Sequence, residues 1–151
     1  MVKLLLCPED EEIQIYTDGS KNENGVGAGI AIFDKGKTEK KLKYKLHNNC
    51  SNNQAEQFAI VKAMENTNIS NSRRRIATIY ADSKVTIQSI KNYRNHKSLI
   101  EKIRKKALEL EKREWTIQIT WIKAHVGHHG NELADNLAKE ATKNKETIHT
   151  K

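Results

Sequence analysis

The 151-residue chain has one proline, two cysteines and no apolar run near the roughly 18 residues that a membrane span requires. The short apolar patch at its start, Val2 with Leu4 to Leu6, is cut off by Pro8 and the acidic Glu9-Asp10-Glu11-Glu12. That patch is too brief for a signal-peptide core and no small-residue cleavage site follows, so neither a membrane association nor a secretory leader is expected. Cys7 and Cys50 stand far apart without CxxC spacing. This argues against a structural disulfide or zinc site and for a reducing, intracellular compartment, cytoplasm or nucleus. Internal repeats and low-complexity linkers are also absent. Pro8 marks where a tail, 1–12, meets a single domain, 13–143, which a polar tail, 144–151, follows. At this length one domain with a real core is expected.

What the chain has is positive charge. Lys and Arg number 27 against 19 acidic residues, a net +8, with a sequence pI near 9.5. Such a balance suits a polyanion, because each phosphate neutralised by Lys or Arg releases condensed counterions. Many basic soluble domains bind no nucleic acid, and net charge carries no information about fold.

Hydrophobic periodicity supplies the fold class. Ile13 to Thr17 reads as a strand ending at Asp18-Gly19-Ser20, and Asn22 to Gly25 as a turn. Gly27 to Phe33 is a second strand. Thr38 to His47 is a third, with Leu42, Tyr44 and Leu46 on one face and lysines on the other. A helix follows from about Asn53 to Glu65, buried through Ala55, Phe58, Ala59, Ala63 and Met64. Ile76 to Ala81 is a strand, Asp82-Ser83 opens a helix to about Tyr93, and Ser98 to Lys112 is another helix. Trp115 to Ile122 alternates as a strand, and Asn131 to about Thr142 closes the domain as a helix. A meander followed by strands joined through helices implies an α/β fold, a mixed sheet with helices on both faces.

Four acids sit where a chemical use is expected. Asp18 ends the first strand, Glu56 lies in the first turn of the first helix, Asp82 ends the fourth strand, and Asp135 lies near the start of the last helix. Strand ends and helix starts gather along one edge of an α/β sheet, where crevices form. Each acid alone is as well explained as a cap or a solvated charge. Together they would repel, by about 4 kcal/mol for a pair about 4 Å apart at an effective dielectric near 20. An all-oxygen set of this kind favours Mg²⁺ or Mn²⁺ over zinc. Two such ions can activate a water and stabilise a leaving oxygen in phosphodiester cleavage.

Four ordered blocks carry a family resemblance. Ile15-Tyr16-Thr17-Asp18-Gly19-Ser20, Asn53-Gln54-Ala55-Glu56, Ile79-Tyr80-Ala81-Asp82-Ser83 and Trp121 through Asp135 resemble the successive motifs of ribonuclease H. The resemblance runs from about Ile13 to Thr142. It implies a five-stranded sheet, antiparallel through strands 1-2-3 and parallel through 1-4-5. It also implies an endonuclease that cuts the RNA strand of an RNA–DNA hybrid with two Mg²⁺, or Mn²⁺ in their place, leaving 5′-phosphate and 3′-hydroxyl ends. By the same resemblance Asp18 bridges both ions, Asp135 completes the one that activates water, and Glu56 with Asp82 holds the other. His125 matches the loop histidine that helps proton movement or product release.

The family tells RNA from DNA by 2′-hydroxyls across a wide, shallow minor groove. The positions that match its substrate contacts are Gly19, Ser20, Ser51, Asn52, Asn53 and Gln54, with Asn24 as a weaker match in a shorter loop. Helix capping is the competing reading of Ser51 to Asn53. Where cellular members often carry a basic, Trp-rich protrusion, this chain passes from Tyr93-Arg94-Asn95-His96-Lys97 straight to Lys102–Lys106, a run that reads either as a solvated helix face or as a DNA-backbone contact. The compact form and its Thr-Asp-Gly-Ser-Lys and His-His-Gly-Asn-Glu-Leu-Ala-Asp wording most resemble the RNase H domains of non-LTR retrotransposon polyproteins. That implies a linked or associated reverse transcriptase, a domain excised from a longer chain, and a monomer when isolated. Two other readings compete. A non-catalytic binding module would be expected to lose one of the acids. A DNA transposase or integrase shares the sheet but not the Asp82-to-Asp135 spacing.

Overall fold

The computed structural model of the chain describes residues 13–34, 37–67, 75–123 and 129–144. Strands β1 (Ile13–Asn22), β2 (Gly25–Asp34) and β3 (Lys37–Leu46) form the meander. Helix α1 (Asn52–Glu65), strand β4 (Ile76–Ala81), helices α2 (Lys84–Lys91) and α3 (Ser98–Lys112), strand β5 (Thr116–Trp121) and helix α4 (His129–Thr142) follow. The sheet runs β3-β2-β1-β4-β5, antiparallel through the meander and parallel from β1 to β4 to β5. Strand number, order and direction are those expected from the sequence.

The sheet is covered on both faces, and β2 shows why its sequence is apolar at nearly every position. Val26, Ala28, Ile30 and Ile32 join the large core beneath α1 and α3, whereas Ala31 and Phe33 pack with Leu137 of α4 on the other face. A strand buried on both sides loses the alternation of a half-exposed one. Helix α1 lies between the sheet and α3, so its buried residues are not a single stripe but run from Ala55 through Val61. Ser51 caps it in a reciprocal box: its Oγ accepts from the Gln54 amide at 3.0 Å, and its own amide donates to Gln54 Oε1 at 2.7 Å.

Several boundaries differ from the sequence reading. β1 does not stop at Asp18 but continues to Asn22, because residues 18–22 still pair with β2 after β4 has ended. α1 begins at Asn52 and α4 by His129, which moves Glu56 and Asp135 into second turns. α2 ends at Lys91 rather than Tyr93, since Asn92 is extended and accepts the Arg94 amide in an Asx turn. Lys45 is not on a solvated face: it is buried, donating to the carbonyls of Asn24 (2.9 Å) and Thr142 (2.8 Å).

Candidate active site

Parallel register places the first two acids. Thr17 of β1 is level with Ala81 of β4, so the next residue on each strand, Asp18 and Asp82, leaves the shared ladder together. Thr17 Oγ1 donates to the Tyr80 carbonyl at 3.2 Å and latches the two strands just before they part. The Asp82 carbonyl accepts the indole N–H of Trp121 at 3.2 Å, and the Lys84 ammonium lies 4.4 Å from the same ring.

Two glycines bring the other acids in. A Cβ on Gly19 would stand 2.7 Å from the Glu56 amide nitrogen and 2.9 Å from the Ala55 Cβ, so only glycine lets α1 rest on β1 directly beside Asp18. Gly29, the β2 partner of Asp18, does the same for α4, where a Cβ would strike the Ala134 carbonyl and the Ala138 amide. Asp135 follows Ala134 and so arrives next to Asp18.

Ligand oxygens of Asp18, Glu56 and Asp82 lie within 4.8 Å of one another. Asp18 and Glu56 are each only 5 % exposed, while Asp82 is half-buried at the rim. Burial first, then the Asp82 charge and a hydrogen bond that the protonated Asp18 donates to Asp135, pushes the Asp18 carboxyl from 3.8 up to about 8. Burial, followed by the charges of Asp18 and Asp82, pushes Glu56 from 4.5 up to about 10. Asp135 stands beside Asp18 but outside the group of three, and its Oδ2 pairs with the Lys139 ammonium at 2.8 Å. This pairing raises Lys139, through the hydrogen bond first and then the charge.

Three converging carboxylates, two of them buried, with no His or Cys among them, fit a hard divalent cation. The donor set is all oxygen, and it resists ionisation for want of a positive charge. Such an ion at Asp18, Glu56 and Asp82 would offset most of their charge, and Asp135 could extend the set once freed from Lys139. The capping explanation of Glu56 falls away, because a buried residue in a second turn serves no helix start.

The expected substrate contacts are placed as follows. Ser20 follows Gly19 at the edge of the site, half-buried. Ser51, Asn52, Asn53 and Gln54 lie exposed at the start of α1, the helix that carries Glu56, and Ser51 and Gln54 also cap it. Asn24 is exposed in the β1–β2 turn, where its amide donates to Asn22 Oδ1 and its carbonyl accepts from Lys45. That turn is four register steps from Asp18 and adjoins the end of α4, so it is not part of the cluster. A groove of about 620 Å³ runs from Ser51, Asn53 and Gln54 to Asn95, Lys97 and Ser98. His125 lies outside the described residues, as do residues 1–12 and 145–151. Sequence reasoning missed Trp121 as a support for Asp82 and Lys139 as a partner of Asp135. The second was visible as an acid–base pair four residues apart on one helix.

Comparison with known proteins gives a family and a fold. The profile of the RNase H family matches residues 10–143. A ribonuclease H of Aliivibrio salmonicida is 30% identical over 147 residues, which cover 89% of this chain and 90% of that one. A ribonuclease H of Campylobacter jejuni is 31% identical over 141 residues, 87% and 91% of the two chains. Among solved structures, RNase H1 from Halobacterium salinarum superposes with a TM-score of 0.67 at 22% identity, over 86% of this chain and 96% of the other, a likeness of fold.

Proposed function

Because the chain belongs to the RNase H family, whose members are ribonuclease H hydrolases, we propose that it cuts the RNA strand of RNA–DNA hybrids at the carboxylate cluster with two divalent cations. The observation that carries this reading is the convergence of Asp18, Glu56 and Asp82 within 4.8 Å at the end of two parallel strands. Mg²⁺, or Mn²⁺ in its place, would supply Lewis acidity and offset the negative charge that develops on the phosphoryl and leaving oxygens.

The residues of the chain do the rest. Asp18, lying between Glu56 and Asp135, is the carboxylate suited to serve both ions. Glu56 and Asp82 would hold one ion, which would stabilise the leaving oxygen, and Asp135 would help hold the other, which would activate the water. Gly19 and Gly29 keep two helices close enough to exclude bulk water from Asp18. In this reading exposed Asn52 and Asn53, with Ser51, Gln54, Ser20 and the Gly19 backbone, contact 2′-hydroxyls of the RNA strand, and Asn24 contacts the backbone further along; their exposure beside Glu56 supports the first set. His125 assists proton movement or product release. The products are 5′-phosphate and 3′-hydroxyl ends. The retroelement wording of the first and last motifs supports a linked or associated reverse transcriptase as partner, whereas the bacterial relatives are matched along nine-tenths of their own length. Co-purification with a co-expressed reverse transcriptase tests that partnership.

A labelled hybrid tests the reaction. Purified protein with Mg²⁺ should cut the RNA strand alone, EDTA should stop it, and Asp18→Asn or Asp135→Asn should lower kcat by about 10³-fold or more, ~4 kcal/mol of barrier. Intact hybrids with Mg²⁺, or cleavage indifferent to Asp18→Asn, would end the proposal.

A further inference from the structure

The connection between α2 and α3, residues 92–97, has no regular structure, yet one side chain from the second turn of α3 holds it. Arg104 Nη2 donates to the carbonyls of Ser89 (3.4 Å), Ile90 (3.1 Å) and Asn92, and Nη1 donates to the Asn95 carbonyl. Glu101 fixes the guanidinium from the other side at 2.9 Å and also takes His96 Nδ1 at 3.2 Å. Ser89 and Ile90 are among the last residues of α2, whose carbonyls have no acceptor role left within the helix. A cation there also faces the negative end of the helix dipole. The arginine fork serves carbonyls on both sides of the turn at once, which the single ammonium of lysine cannot do. Within the connection the Asn95 amide donates to the Asn92 carbonyl at 2.9 Å and the Lys97 amide to Asn95 Oδ1 at 3.0 Å.

This connection is one wall of the groove. Asn95, Lys97 and Ser98 line it opposite Ser51, Asn53 and Gln54, while Arg104 stands behind the wall and does not line the groove. We propose that Arg104 is a positioning residue for hybrid binding: it sets the wall 92–97 at the spacing from α1 that the hybrid backbone requires. The proposal rests on the hybrid-cleavage reading. It makes the clamp a determinant of substrate affinity rather than of the chemical step, because Arg104 acts on the groove only through the backbone carbonyls of Ser89 and Asn95 and has no bond to the carboxylate cluster among the described residues.

Arg104→Lys, with Arg104→Gln as a second variant, separates these roles when steady-state kinetics on a labelled hybrid are paired with amide hydrogen exchange of the free protein. The expected result is a KM raised about tenfold with kcat within about twofold. Exchange at Asn95 and Lys97 should be faster, with α1 unchanged. Arg104→Lys should retain the fold if Arg104→Gln does not. Faster exchange with an unmoved KM would overturn the proposal while leaving the hybrid reading intact, and so would unmoved exchange. A wild-type protein that leaves hybrids uncut would instead remove the reading, and this proposal with it.

Discussion

The molecule buries charge to the same depth in two places and does opposite things with it. Asp18 and Glu56 at the parallel strand ends and Lys45 in the meander are each 5 % exposed. Lys45 meets what its ammonium needs: two carbonyls, at the end of α4 and in the β1–β2 turn, with no like charge between them. Asp18 and Glu56 meet each other and Asp82, so burial and repulsion act in the same direction. The lysine closes a structural corner. The carboxylates form a site that is complete only when a cation enters, which is the difference between charge used for architecture and charge kept for chemistry.

The largest consequence is in the pH dependence of the metal-free protein. A carboxyl raised to about 8 or 10 keeps its proton in the folded state, whereas the unfolded chain releases it near 4. Between those values the unfolded state binds fewer protons, so stability falls as pH rises and is fully retained only below pH 4. Urea unfolding in EDTA should lose several kcal/mol from pH 5.5 to 9, and saturating Mg²⁺ should flatten the curve. A flat curve in EDTA would remove the contrast. Lys45→Met probes the other side. Leaving the Thr142 carbonyl buried without its donor should cost about 1–3 kcal/mol at every pH, with kcat per folded molecule unchanged. A loss that instead tracked pH would mean that Lys45 answers to the carboxylates after all. Thr86 is an intermediate case, a buried hydroxyl oxygen with no hydrogen-bond partner among the described residues. Thr86→Val should raise stability by about 1 kcal/mol in thermal melts, with or without metal.

The sequence revealed much of this, unevenly. β4 and α3 were legible to the residue, because each is a clean periodic run between polar breaks. Asp18-Gly19-Ser20 reads as the end of a strand by composition, and only the continued ladder with β2 carries the strand on to Asn22. The lysines of β3 read alike in sequence, and nothing local marks Lys45 as the one that reaches Thr142, 97 residues away. The four acids were legible through their motifs, but their inequality was not. Asp18 and Glu56 are set deep by Gly19 and Gly29, whose role depends on where two helices land. Asp135 is shared between Asp18 and Lys139, the latter in a pairing that the helical spacing permitted without requiring.

The most direct measurement compares the melting temperature of the wild type with that of Glu56→Gln at pH 8, first in EDTA and then in saturating Mg²⁺. If the buried carboxylates are held for a cation, Glu56→Gln melts higher than the wild type in EDTA, because the wild-type carboxyl, ionised in the unfolded chain at pH 8, must take up a proton to fold and the amide need not. The order reverses in Mg²⁺, because only the wild type gains the full ion contact. A Glu56→Gln protein that melts below the wild type in EDTA, or a Mg²⁺ shift equal in both proteins, would contradict the account.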